Sequence, residues 1–131
     1  MPTLKEGDLA PAIDAVDQNG EKITLEEYRG KKVVLYFYPK DNTPGCTAEA
    51  CDLRDNYEKF QSEGYEILGV SADSQKSHQN FINKFDLPFR LLSDVDKKVL
   101  EAYHAWGEKQ MYGKSYMGIL RKTYIIYEEG K

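Results

Sequence analysis

The chain has 131 residues, 40% hydrophobic and 31% charged, with a formal net charge of −4. That balance fits one soluble domain built on a single hydrophobic core. Charges of both signs are mixed along the chain, so no basic stripe suggests a nucleic-acid groove, and no apolar run reaches the length of a membrane span. The N-terminal segment lacks the apolar core of a secretory signal, which makes the cytoplasm the expected compartment. No repeat or linker divides the chain, so one domain over 1–131 is expected.

Taken in chain order, residues 13–16 and 22–25 flank Asn19-Gly20, and Asn-Gly between two such runs is a strong hairpin signal because both residues tolerate positive φ. Residues 33–38, Val-Val-Leu-Tyr-Phe-Tyr, are continuously apolar and β-prone, as in a central strand covered on both faces, and Pro39 ends them. A helix follows, with Thr43 as N-cap and Pro44 as first residue. Cys46, Ala50, Leu53, Tyr57 and Phe60 recur at spacings of four and three and form one buried stripe, and Gly64 closes the helix. Residues 66–71 read as a strand and 74–85 as a helix with Phe81, Ile82 and Phe85 inward. Pro88 precedes a short strand at 89–92. Asp94 is expected to cap a third helix carrying Val99, Leu100, Tyr103 and Trp106. A loop is expected over 107–118, a last strand over 121–127, and a turn at 128–131. Strands alternating with helices point to an α/β sheet with right-handed crossovers and with chemistry at the strand ends.

Cys46 and Cys51 are the only cysteines. In a reducing compartment such a pair is catalytic or metal-binding more often than structural. Cys46 falls in the first turn of its helix, where the helix dipole favours a thiolate. In an ideal helix, residues five apart have Cα atoms roughly 8–9 Å apart, on faces about 140° from each other. A disulfide needs Cα atoms within about 7 Å, so these two cysteines cannot bond while the helix is intact, and a conditional bond requires its first turns to unwind. A zinc site is a poor fit, because Cys-x4-Cys with two scattered histidines, His78 and His104, does not supply a four-ligand set. Read alone, Thr43 is a helix cap, Pro39 a strand end, and Arg121 a surface ion-pair residue. His78, which shares its face with Phe81 and Ile82, reads as a boundary residue, and His104 as exposed.

The spacing Pro39-x-x-x-Thr43-x-x-Cys46 resembles the peroxiredoxin active-site pattern. The string YPKDNTPGCTAEACDLRD at 38–55 is similar to the peroxiredoxin Q group, also called the bacterioferritin comigratory protein group. WGEKQMYGK at 106–114, Met117-Gly118 and RKTYII at 121–126 are similar to the same group, so the resemblance covers essentially the whole chain. It implies a thioredoxin-like fold, a three-layer α/β/α variant with an N-terminal β-hairpin, and a thiol peroxidase that reduces hydrogen peroxide and organic hydroperoxides. It implies no cofactor and no metal. Carried over, Cys46 is the peroxidatic cysteine and passes through a sulfenic acid. Cys51 matches the resolving cysteine that closes a Cys46–Cys51 disulfide, which thioredoxin or a similar dithiol reduces. Thr43 bonds peroxide and thiolate, Pro39 shields the pocket, Arg121 sits beside the sulfur, and Glu49 is the partner of an arginine. Members of the group continue past the position of Lys131 with a returning strand and a helix. Those two elements are therefore expected to be absent, leaving the strand near 121–127 as an uncovered edge. A monomer or weak dimer is expected. Two rival readings stay open: a general dithiol–disulfide oxidoreductase, and a non-enzymatic binding or chaperone-like protein on the same fold.

Overall fold

A computed structural model of the chain describes residues 10, 13, 15–28, 30–111 and 113–126. The six-residue apolar run becomes β3 (Lys32–Phe37), the second strand from one edge of a six-stranded sheet. Its parallel neighbour is β4 (Tyr65–Ser71), which in turn pairs in parallel with β5 (Arg90–Ser93). The far edge is an antiparallel hairpin of β1 (Ala15–Val16) and β2 (Lys22–Ile23), with β1 paired to β5. The near edge is β8 (Lys122–Ile126), antiparallel to β3.

The alternation of side chains along β3 explains why its sequence is apolar throughout. Val33, Leu35 and Phe37 enter one core cluster, while Val34, Tyr36 and Tyr38 enter the other. The first cluster is covered by the N-terminal hairpin and by α4 (Lys98–Ala102), through Val99, Leu100 and Tyr103. The second is covered by α1 (Pro44–Asp55), α2 (Tyr57–Ser62) and α3 (Gln75–Phe85). The result is the three-layer α/β/α arrangement expected from the sequence. Each fully buried Leu, Ile or Phe side chain stabilises it by about 1.5–3 kcal/mol. Gly69 lies opposite Tyr36 in the β3–β4 register, and a Cβ there would meet the Tyr36 ring at 2.9 Å and Leu91 Cδ2 at 2.7 Å. The glycine is what lets the tyrosine ring lie flat against the sheet.

Several local expectations are corrected. The Asn19-Gly20 hairpin exists, but Leu25 opens a 3₁₀ turn (Leu25–Tyr28) rather than extending β2. Its loop is organised by Asp17, whose carboxylate accepts from the Asn19 and Glu21 amides. The long helix after Thr43 breaks at Asn56 into α1 and α2. The apolar stripe crosses the break because Tyr57 and Phe60 still pack on the same cluster. Gly64, at φ +85°, follows α2 as expected of a C′ glycine.

Asp94 does not cap its helix directly. A turn intervenes in which Lys97 has φ +63°, and Asp94 Oδ2 reaches forward to accept from the Leu100 amide at 2.7 Å. Trp106 leaves the helix altogether: the chain turns at His104 (φ +57°, half-buried rather than exposed) and starts β6 (Trp106–Met111). The expected loop at 107–118 is thus a second hairpin, with β6 paired to β7 (Lys114–Ile119) in register from Trp106↔Ile119 to Met111↔Lys114. Gly113, at φ +78°, forms part of the two-residue connection that this register requires. The expected Tyr127 end of the last strand and the turn at 128–131 lie outside the described residues. Within them β8 is the sheet edge, and Ile125 on it is exposed.

Candidate active site

The polypeptide leaves β3 at Tyr38 and makes a tight loop through Pro39, Lys40, Asp41 and Asn42, with Asn42 in the left-handed region at φ +59°. Thr43 then takes the extended backbone of an N-cap and Pro44 starts α1. Thr43 does not cap with its side chain. Its carbonyl accepts the first helical bond, from the Thr47 amide at 2.8 Å, while its hydroxyl donates back to the Lys40 carbonyl at 2.9 Å. With that hydrogen committed, Thr43 Oγ1 keeps acceptor capacity only. Pro39 is half-buried at the start of the loop.

Cys46 is the third residue of α1 and only 1% exposed, packed among Tyr36, Tyr38, Ala50 and Phe81. The amides of the first turn have no intrahelical acceptor, and the helix dipole adds positive potential there. Arg121 reaches the same sulfur from the other end of the chain: its Nη2 donates to Cys46 Sγ at 3.0 Å, and its Nη1 to Glu49 Oε1 at 3.1 Å. Arg121 lies in the short connection between β7 and β8, immediately before β8, and the amide of Leu120 beside it donates to the Ala105 carbonyl at 2.7 Å. Burial pushes the Glu49 carboxyl above its usual range, and Arg121 pulls it back.

Gly45 was not distinguishable from its neighbours in the sequence, yet it sets the geometry. A Cβ at that position would lie 3.0 Å from Arg121 Nη2, so the guanidinium reaches the sulfur across a residue with no side chain. Cys51 is a free thiol, half-buried on the unbroken helix α1, as Cys46 is a free thiol on its first turn. The structure therefore brings Cys46, Arg121, Glu49 and the Thr43 loop together and leaves Cys51 further along the same helix.

His78 and Asp41 were also missed. His78 is fully buried, with Nδ1 at 2.7 Å from Asp41 Oδ2 and Nε2 at 2.9 Å from the Leu92 carbonyl. Their 37-residue separation and the polar character of both residues gave no local signal. Asp73 completes an acid–imidazole cluster whose ligand-type atoms lie within 4.8 Å of one another. Those side chains are engaged in hydrogen bonds, His78 Nδ1 with Asp41 Oδ2, and Asp73 Oδ2 with the Asp41 amide and Ser71 Oγ. Two ligands of a tetrahedral ion bound at about 2.0–2.2 Å sit roughly 3.3 Å apart, wider than the His78–Asp41 contact.

A family model described as AhpC/TSA matches residues 7–131. The peroxiredoxin Bcp of Bacillus subtilis is 49% identical over 129 residues, 98% of this chain and 82% of that protein. A cysteine-to-serine mutant of peroxiredoxin Q from Xanthomonas campestris superposes with a TM-score of 0.86 at 43% identity, covering 91% of this chain and 76% of the other. A structure of the Xanthomonas campestris bacterioferritin comigratory protein, solved to explain its alkyl peroxide reduction, gives a TM-score of 0.85 at 42% identity over 91% and 76% of the two chains. With this fold and a cysteine at the head of a helix under an arginine, the class is that of the thiol peroxidases built on a thioredoxin-like sheet. The chain belongs to the AhpC/TSA family, and its relatives there are the Bcp and peroxiredoxin Q proteins.

Proposed function

We propose that a single domain reduces hydrogen peroxide and organic hydroperoxides through Cys46, with Cys51 as the resolving thiol. The carrying observation is the 3.0 Å approach of Arg121 Nη2 to Cys46 Sγ at a helix N-terminus. Peroxide reduction needs a sulfur anion, a donor for the departing oxygen, and a pocket shielded from water. The guanidinium and first-turn amides supply positive charge to the sulfur and to the developing oxyanion. Thr43 Oγ1 accepts a hydrogen bond from the hydroperoxide O–H, and Pro39 shields the sulfur.

In the first step the Cys46 thiolate attacks the terminal peroxide oxygen, the O–O bond breaks, and the departing alkoxide or hydroxide takes a proton from solvent and leaves as alcohol or water. Cys46 is left as a sulfenic acid. The first turns of α1 then unwind, Cys51 attacks the sulfenic sulfur, and water leaves as the Cys46–Cys51 disulfide forms. An external dithiol of thioredoxin type restores both thiols by exchange, becoming a disulfide itself. The alkyl peroxide reduction described for the Xanthomonas relative supports organic hydroperoxides as one substrate class. Two unpaired thiols suit a reducing compartment such as the cytoplasm. Among the described residues no helix is long and apolar enough to cross a membrane. We further propose a monomer or weak dimer.

The test is a pair of variants assayed with thioredoxin and its reductase. Cys46→Ser abolishes turnover, whereas Cys51→Ser completes one oxidation and stalls. A Cys46→Ser protein that still consumes peroxide overturns the proposal, and steady cycling by Cys51→Ser removes the resolving role.

A further inference from the structure

We propose that His78 is a positioning residue of the peroxide-reducing site, acting through Asp41 on the loop that carries Thr43 and the head of α1. The inference rests on the peroxidase reading above and adds residues that touch neither the sulfur nor the substrate.

Asp41 is the pivot of the Pro39–Thr43 loop, and it is buried. Its Oδ1 accepts from the Tyr38 hydroxyl at 2.5 Å, at the end of β3. Its Oδ2 accepts from the Ser77 hydroxyl at 2.8 Å and meets His78 Nδ1 at 2.7 Å, both on α3. Its amide donates to Asp73 Oδ2 at 2.8 Å, and that oxygen also accepts from Ser71 Oγ at 2.7 Å, at the end of β4. Through its carboxylate and its amide, Asp41 thus ties the loop to two strands and a helix. The next residue, Asn42, has a left-handed backbone, which sets the direction of Thr43 and α1. Thr43 follows Asp41 by two residues and Cys46 by five, so a displacement of Asp41 is carried into both.

The proton arrangement makes His78 more than a filler. The Leu92 carbonyl can only accept, so His78 Nε2 carries a hydrogen. Asp41 Oδ2 lies 2.7 Å from Nδ1, the distance of a hydrogen bond shared by the two side chains. Ser77 donates to the same Asp41 oxygen and Tyr38 to the other one, and the Tyr38 hydroxyl also lies 3.4 Å from His78 Nδ1. His78 and Ser77 together hold Oδ2 against α3, and the His78 ring is itself fixed by β5 through Leu92. Only the Nδ1 side of the ring serves the loop; the Nε2 side serves the core.

Asparagine and glutamine separate the two sides. Asn places its amide near the Nδ1 position and can donate to Asp41, while Gln reaches toward the Nε2 position and the Leu92 carbonyl. Each variant loses one of the ring's two hydrogen bonds. If His78 is a positioning residue, His78→Asn keeps the rate of Cys46 oxidation within a few-fold of wild type, and His78→Gln slows it on the order of 10–100-fold, the size expected of a small misplacement of reacting groups. Reduction of the preformed Cys46–Cys51 disulfide by thioredoxin is unchanged in both. Ser77→Ala, which removes one contact to the same oxygen, gives a smaller slowing and keeps the test readable where a His78 variant does not fold. The measurement is single-turnover oxidation by peroxide at varied concentration, with wild type and Cys46→Ser run alongside. Slow oxidation of wild type itself defeats the peroxidase reading. Fast wild type with equal rates in His78→Asn and His78→Gln, or with Ser77→Ala indistinguishable from wild type, overturns the positioning role.

Discussion

Arg121 Nη2 lies 3.0 Å from Cys46 Sγ although 75 residues separate them in the chain. The contact is possible because β8 runs antiparallel to β3 with Phe37 opposite Lys122, so the start of one strand meets the end of the other beside the head of α1. A charge delivered there acts on the sulfur and on the oxygen that departs from it. Arg121→Ala is therefore expected to slow Cys46 oxidation by about 10²–10³-fold, the scale of losing one oriented donor in an active site. Arg121→Lys recovers part of this, since it restores charge without the two-pronged geometry that also holds Glu49. Single-turnover kinetics check both. An alanine variant that oxidises as fast as wild type removes Arg121 from the chemistry.

Gly45 makes a sharper test of the same contact. A methyl group 3.0 Å from Arg121 Nη2 forces the guanidinium to give by a few tenths of an ångström, without removing any functional group. Gly45→Ala is expected to slow the peroxide step on the order of 3–30-fold, through misplacement alone. Its denaturation midpoint should stay near that of wild type, because Gly45 is exposed at the first turn of a helix. Equal rates in the two proteins would show that the guanidinium position is not rate-determining.

Tyr36 carries a buried hydroxyl with no hydrogen-bond partner in the structure, over Gly69 and in the same cluster as Cys46. An unpaired buried donor opposes folding, so Tyr36→Phe is expected to raise stability by about 1 kcal/mol. Urea unfolding of the reduced protein measures this. A loss of stability of similar size would mean that the hydroxyl is paired in solution.

Glu49 gives a pH dependence. Burial raises its carboxyl above the ordinary value of 4.5, with Arg121 working in the opposite direction. A carboxyl raised on folding binds more protons in the folded chain than in the unfolded one, so stability falls as pH rises from the ordinary value through the raised one. The contribution is fully present below the ordinary value and gone above the raised one. Glu49→Gln has no such group. As pH rises above the ordinary value of 4.5, the wild-type urea midpoint should fall relative to that of the variant. Parallel profiles would contradict the assigned shift.

What the sequence made legible was local. The run 33–38 announced a strand covered on both faces because both faces are in fact covered, and the stripe from Cys46 to Phe60 announced the buried side of a helix. The stripe hid the break at Asn56, since Tyr57 and Phe60 keep to the same face across it. Trp106 fell at a helical spacing from Val99 and Tyr103 and was drawn into their helix by coincidence, while the hairpin at 106–119 lacks the alternation of a half-buried strand because residues 113–117 are all exposed. Long-range placement was legible only through family resemblance, as with Arg121 and Glu49. The Asp41–His78 pair had neither a local period nor a motif role, and only the packing of α3 against the Pro39–Thr43 loop brings the two together.

The most direct test of the central claim is rapid-quench oxidation of fully reduced protein by one equivalent of hydrogen peroxide, read by intact mass and peptide mapping. The expected result is loss of two hydrogens per chain at a rate far above that of a free thiol, with the bond mapped to Cys46 and Cys51. Oxidation at the pace of an ordinary cysteine, or a product that keeps Cys51 reduced while Cys46 gains oxygen, would contradict it.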